Sequence, residues 1–179
     1  LAPDAIELVD RTLIDLALDI PIFKDTLTRF VQGDPDALLL VEFTGEEPTH
    51  LQQQLSDLST LMADLGHPDS VVEIDNPTDQ RAVWEVRKSG LNIMMSMKGD
   101  NKPVSFIEDC AVPLEHLAEF TDRLTRIFEK HGTRGTWYAH ASEGCLHVRP
   151  VLNMKSPEDV RKMRSIAEQA FSIVKEYEG

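Results

Sequence analysis

The sequence predicts an α+β domain, a mainly antiparallel sheet covered by helices. Three observations predict it. Short apolar runs of strand length alternate with longer stretches at helical spacing. The two strand-like runs nearest the C-terminus, 136–141 and 145–152, are too close together for a crossover, so that pair is antiparallel. Helix starts are marked by capping residues followed by proline, at Asn76-Pro77 and Ser156-Pro157.

Taken in order, residues 4–19 carry Ile6, Val9, Leu13 and Leu16 at helical spacing, which predicts a helix interrupted by Pro21. A second short helix places Phe23, Leu27 and Phe30 on one face. Gly33-Asp34-Pro35 is a turn signal that closes a helical lead-in over residues 1–33. Residues 37–43 (ALLLVEF) read as a buried strand. Leu51, Leu55, Leu58, Met62 and Leu65 restore helical periodicity, and Gly66 ends it. Residues 71–74 predict a second strand. The helix from Asn76-Pro77 carries Trp84, Leu91 and Met95 and runs to Lys98-Gly99.

Residues 103–112 hold a third strand. Pro113 opens a helix with Leu114, Leu117, Leu124, Ile127 and Phe128 inward, ended by Gly132. Two strands follow, and Ser156-Pro157-Glu158-Asp159 starts a last helix in the manner of a capping box. The order is helices, then β-α-β-α-β-α-β-β-α. One domain over residues 1–179, ferredoxin-like in style, accommodates it.

Composition narrows the function. The net charge of −13 disfavours binding to duplex nucleic acid or anionic lipid. No apolar run approaches the ~20 residues that span a bilayer. An acidic protein that binds anionic substrates must concentrate cations locally, so isolated Arg, Lys and His carry information. Cys110 and Cys145 form neither a disulfide framework nor a zinc-finger spacing, and a reducing cytoplasm is the expectation. The chain begins at Leu1, shows no signal peptide, and stops soon after a helical pattern, as expected of a piece of a longer protein.

The informative segment is Trp137-Tyr138-Ala139-His140-Ala141-Ser142-Glu143-Gly144-Cys145-Leu146-His147-Val148-Arg149-Pro150. With Glu143-Gly144 at the centre of a tight hairpin, His140 faces His147 and Tyr138 faces Arg149. Alternation gives one polar face (Tyr138, His140, Ser142, Cys145, His147, Arg149) and one core face (Trp137, Ala139, Ala141, Leu146, Val148). Opposed Cβ atoms lie roughly 4.5–5.5 Å apart, so both imidazoles reach one ion. Zinc suits two neutral imidazoles, with a carboxylate as third ligand. The same pattern also describes two surface histidines. Cys145 reads as a soft ligand or, more commonly, a small packed thiol.

Arg87 lies one turn from Trp84 and from Leu91. It reads as a guanidinium that grips a carboxylate, or as an arginine snorkelling at the core rim. Lys102, in the polar loop 99–103, supplies a second cation or is merely solvated. Arg149 assists electrostatically or bridges to a surface carboxylate. Glu108 and Asp109 occupy successive strand positions and so point to opposite faces.

These features, in this order, resemble the C-terminal domain of FAD-linked oxidases of the D-lactate, glycolate and D-2-hydroxyglutarate dehydrogenase type. The similarity is greatest to large bacterial members that also carry an iron–sulfur region. The matching segments are residues 84–91, Lys102-Pro103, 106–113 and 140–150. The resemblance implies an FAD-dependent enzyme that oxidises a 2-hydroxy acid to a 2-oxo acid. This chain would be the substrate-binding cap on a separate FAD-binding domain, and inactive by itself. An iron–sulfur cluster would lie elsewhere in the parent.

It further implies that His140 and His147 bind a divalent ion, usually zinc, and that Arg87 holds a substrate carboxylate. The family's third ligand is a Glu in a downstream Glu-His-Gly, which this sequence does not contain. Ser142-Glu143-Gly144-Cys145 stands where many relatives have Gly-Asp-Gly-Asn, and the family's substrate lysine is replaced near Ile107. The rival reading is a non-catalytic ligand-sensing or dimerisation module, since fold does not fix function.

Overall fold

The computed structural model describes residues 1–179. Its elements are β1 (Ala5–Asp10), α1 (Arg11–Leu18), α2 (Pro21–Phe30), β2 (Ala37–Glu42), α3 (Pro48–Asp64), α4 (Pro77–Lys88), α5 (Gly90–Met95), β3 (Lys102–Pro103), β4 (Ile107–Ala111), α6 (Leu117–Lys130), β5 (Gly135–His140), β6 (Cys145–Leu152) and α7 (Pro157–Glu176). The expected α+β class holds. The sheet runs β2-β1-β5-β6, and both β4 and β3 pair with the far edge of β6. Every pairing is antiparallel.

The helical lead-in over residues 1–33 is corrected. Ile6 and Val9 suit a helix by spacing, but Ala5–Asp10 is a strand. Paired to β2 on one side and to β5 on the other, it gains ladder hydrogen bonds on both edges. Those long-range partners outweigh a weak local preference. The helix begins only at Arg11, where the Asp10 carboxylate caps it by accepting from the Leu13 N–H at 2.9 Å. The other Asp10 oxygen accepts from the Trp137 N–H at 2.9 Å and ties β1 to β5.

Further expectations change. Leu114, expected inward on the helix after Pro113, is exposed, because that helix begins only at Leu117. The strand expected to be buried over 37–43 is the sheet edge, and none of its residues is buried. Residues 71–74 form no strand. The long helix after Pro77 breaks at Ser89, and the inward face continues as Val86, Gly90, Ile93 and Met94. Leu91 and Met95 are therefore exposed. Gly90 permits this close approach, since a side chain there would press on Leu13 Cδ1. The strand expected over residues 103–112 is two short strands, because β6 pairs with β3 near its end and with β4 near its start.

Two cores sandwich the sheet. On one face Phe120, Leu124, Phe128, Ile166 and Ala170 of α6 and α7 pack on Ala139, Leu146 and Val148. On the other, Leu13, Ala17, Leu27, Val86, Ile93 and Met94 form a smaller cluster that reaches Val9 and Tyr138. Beyond Tyr138, this second face turns polar, and α4 carries Arg87 over it.

Candidate functional site

The β5–β6 hairpin places the site. Its turn is longer than a two-residue hairpin: residues 141–143 make a single 3-10 turn, and Gly144 closes it with φ +66°. The Gly144 carbonyl accepts from the Val112 N–H at 3.1 Å, which docks the end of β4 on the turn. The register is accordingly shifted from the expected one. Tyr138 opposes His147, His140 opposes Cys145, and Thr136 opposes Arg149. A shift of two positions preserves the face, so Tyr138, His140, Cys145, His147 and Arg149 still share one side. The two imidazoles are now diagonal neighbours, edge to face with ring centroids 5.1 Å apart.

Each histidine is braced by a carboxylate that sequence reasoning did not assign. Glu7 on β1 sits opposite His140, and its Oε1 lies 2.8 Å from His140 Nδ1. Glu108 Oε2 lies 3.0 Å from His147 Nδ1. Carboxylates on Nδ1 fix the ring orientation and leave Nε2 as the free donor. The alternation Ile6-Glu7-Leu8-Val9 was the available signal for Glu7, and the helical reading of that segment concealed it.

Asp109 departs from its expected place. Ile107 pairs with Val148 and Cys110 with Leu146, so Glu108 and Asp109 together oppose His147 in a bulge. Asp109 adopts φ +55° there, a left-handed conformation that aspartate tolerates better than most residues. Instead of pointing to opposite faces, both carboxylates meet one imidazole: Asp109 Oδ1 is 3.1 Å from His147 Nδ1. Only Glu108 has hydrogen-bonding geometry to that nitrogen.

The cations divide. Arg87 donates from Nε at 3.0 Å and from Nη2 at 2.5 Å to Glu7 Oε2. Arg149 is buried, with Nε 2.6 Å from Glu108 Oε1, but that N–H is not aimed at an acceptor. Its Nη2 donates to the Tyr138 hydroxyl at 3.2 Å. The Tyr138 ring stacks on His147 at 4.6 Å and lies beneath both guanidiniums, 5.0 Å from Arg87 and 5.8 Å from Arg149. Arg87 and Arg149 thus belong to the cluster. Lys102 is outside it: its ammonium donates to the Met97 carbonyl at the far end of β6.

Burial pushes the Tyr138 phenol up, against the opposing pull of Arg149. Burial, and then Asp109, Glu108 and Glu7, push the Cys145 thiol up. The Cys145 thiol is free. Oxygen, sulfur and nitrogen donors of Asp109, Cys145 and His147 lie within 4.8 Å of one another.

The face therefore offers imidazole, carboxylate and thiol donors to a divalent cation, and two guanidiniums to an anion. Such a set fits a metal ion that holds an anionic oxygen ligand.

The sequence is similar to known proteins along its whole length. Residues 1–179 match the family model described as FAD linked oxidases, C-terminal domain. The D-2-hydroxyglutarate dehydrogenase of Pantoea ananatis is 27% identical over 183 residues, covering 98% of this chain and 18% of that protein. That of Escherichia coli is 27% identical over 184 residues, with the same coverage. The mitochondrial D-lactate dehydrogenase [cytochrome] of Arabidopsis thaliana is 26% identical over 124 residues, covering 69% of this chain and 21% of that protein. The chain thus spans less than a quarter of the length of these curated relatives. No helix is long and apolar enough to cross a membrane.

Proposed function

The chain belongs to the family of FAD linked oxidases, C-terminal domain, and from that premise we propose that it is the substrate-binding cap of an FAD-dependent dehydrogenase. The substrate is a D-2-hydroxy acid of the lactate, glycolate or 2-hydroxyglutarate class, oxidised to the 2-oxo acid. One observation carries this reading. Two edge-to-face imidazoles, each with Nδ1 on its own carboxylate, lie beside two largely buried guanidiniums. A divalent ion, zinc by its donors, would take His140 and His147 as ligands.

Bound flavin supplies the two-electron acceptor, and the bound ion supplies Lewis acidity toward the substrate hydroxyl. The flavin would be held outside these 179 residues, and any iron–sulfur cluster likewise. Within the chain, Glu7 and Glu108 fix the ring tautomers. Arg87 spends Nε and Nη2 on Glu7 and keeps Nη1 for a substrate carboxylate. Arg149, with its Nε unpartnered by hydrogen bonding, adds a second positive centre. Lys102, engaged with Met97 away from the cluster, is assigned no contact with substrate. Free thiols suit a reducing compartment, the cytoplasm. The sensing or dimerisation alternative draws no support from the family match.

The test is to measure flavin, divalent metal and hydroxy-acid oxidation in the protein expressed from its natural reading frame, beside a His140→Ala, His147→Ala double variant. The expected result is one FAD and about one metal ion in the parent, with metal and oxidation lost and FAD kept in the variant. A variant that oxidises at the parental rate would overturn the assignment.

A further inference from the structure

His140 and His147 by themselves leave the charge of a divalent ion uncompensated, and the structure contains the groups that would balance it. Asp109, Cys145 and His147 bring a carboxylate oxygen, a thiol sulfur and a ring nitrogen within 4.8 Å of one another. Donors at about 2.0–2.3 Å from one tetrahedral ion lie roughly 3–4 Å apart. The set would contract to ligate one ion, and since Glu108 holds Nδ1, His147 would offer Nε2 and Asp109 would turn from Nδ1 toward the ion. Asp109 is free to turn, because its side chain is 76% exposed while His147 is 13% exposed.

Two independent features point to a cation. The first is the bulge. Asp109 holds a left-handed backbone conformation, φ +55°, and this brings a second carboxylate to a nitrogen already bonded to Glu108. An imidazole Nδ1 has one proton to give, so the second carboxylate gains no hydrogen bond. It adds negative charge where negative charge is already present, an arrangement that a divalent ion would stabilise. The second feature is Cys145. It lies directly across the ladder from His140, its thiol is free, and it is only partly buried. A packed structural thiol would sit with the apolar side chains of the opposite face, as Cys110 does.

We propose that Asp109 and Cys145 are metal ligands, so that this chain builds a thiolate-containing divalent cation site around His147. The proposal deepens the metal reading above and rests on it for the presence of an ion. Binding displaces the thiol proton to solvent and leaves the sulfur as thiolate, with no change of oxidation state. Thiolate and carboxylate together neutralise a dipositive ion. The softness of sulfur selects zinc over magnesium or calcium. Glu7 and Glu108 remain as outer carboxylates on the two imidazoles.

The test uses the protein expressed from its natural reading frame, loaded with zinc and studied by zinc K-edge X-ray absorption, which flavin and iron do not obscure. The expected result is one sulfur scatterer at about 2.3 Å beside nitrogen and oxygen scatterers at about 2.0–2.1 Å. Cys145→Ser should remove the sulfur shell and weaken zinc binding by more than about 10-fold, and Asp109→Asn should weaken it similarly without removing sulfur. Circular dichroism establishes that each variant is folded. Zinc bound with no sulfur scatterer, and bound equally well by Cys145→Ser, overturns this proposal; if His140→Ala then loses the zinc, the two-histidine reading stands without it. A parent that binds no zinc overturns both.

Discussion

Glu7 and Arg87 form an ion pair whose energetic weight can be worked from its burial. Their side chains are 12% and 11% exposed, and Arg87 Nη2 is 2.5 Å from Glu7 Oε2. Exposed pairs contribute about 0–1 kcal/mol. Removing one partner of a buried pair costs about 3–5 kcal/mol, because the other charge is left desolvated and unpaired. Arg87→Met keeps most of the stem that packs near Tyr138 and strands the Glu7 carboxylate with only His140 as partner. The expected loss is about 3–5 kcal/mol, roughly 6–20 °C in Tm for a domain of this size. Glu7→Gln should cost less, since the amide oxygen still accepts. In the double variant no uncompensated charge remains, and its loss should fall below the sum of the singles by about 1–3 kcal/mol. Urea unfolding followed by circular dichroism measures all four proteins, with unchanged m-values as the control for two-state comparison. Strict additivity would refute the reasoning, since it would mean that the guanidinium does not depend on Glu7.

Other consequences follow from the same geometry. Asp10→Ala should cost about 1 kcal/mol for the lost helix cap and a further 1–3 kcal/mol, roughly, for the stranded Trp137 N–H, read by urea unfolding at neutral pH. Burial raises the Asp10 carboxyl above its ordinary 3.8. The folded state therefore holds that proton to higher pH than the unfolded chain, so its contribution to stability is complete below 3.8 and declines as pH rises through the folded value; the wild-type-minus-Asp10→Asn difference in unfolding free energy should fall over that interval, and a rise would contradict the sign. Gly144→Ala places a Cβ against the Val112 carbonyl oxygen at φ +66°, and should cost more than the about 1–2 kcal/mol of left-handed strain alone, seen as a lowered Tm. Asp109→Gly relieves that kind of strain at the bulge, against roughly 0.5–1 kcal/mol of added chain entropy; its Tm should stay near wild type while zinc affinity falls.

The fold was most legible where local chemistry and tertiary contacts agree. Asn76-Pro77 and Ser156-Pro157 start α4 and α7 as their side chains predict, with Asn76 accepting from Thr78 and Asp79 and Ser156 accepting from Asp159. The strand expected over 37–43 was readable as a strand, though it lies at the sheet edge with no buried residue and not in the core, and the closing hairpin was likewise readable. Residues 5–10 were not. Their strand identity depends on β5, which lies some 130 residues downstream, and no local pattern reports so distant a partner. Ser89 is a comparable case: the helix break there lets Gly90 approach Leu13 of α1, a contact invisible in the periodicity of the helix itself.

The candidate site shows which errors alternation forgives. The expected hairpin register was displaced by two positions because the turn spans residues 141–144. Side chains repeat every two residues along a strand, so the displacement exchanged the partners and kept the face. His140, His147 and Arg149 remained together, and Arg87 joined them from α4 because one helical turn separates it from the core contacts of that helix. The bulge is the opposite case. A single extra residue in β4 breaks the period, and Asp109 moves from the expected opposite face to the nitrogen already held by Glu108. The sequence marks no such irregularity, since Asp109 is neither glycine nor proline. The position least legible in the sequence is thus the one where backbone regularity yields to the placement of a charged side chain, and that coincidence is itself a reason to seek the cation there.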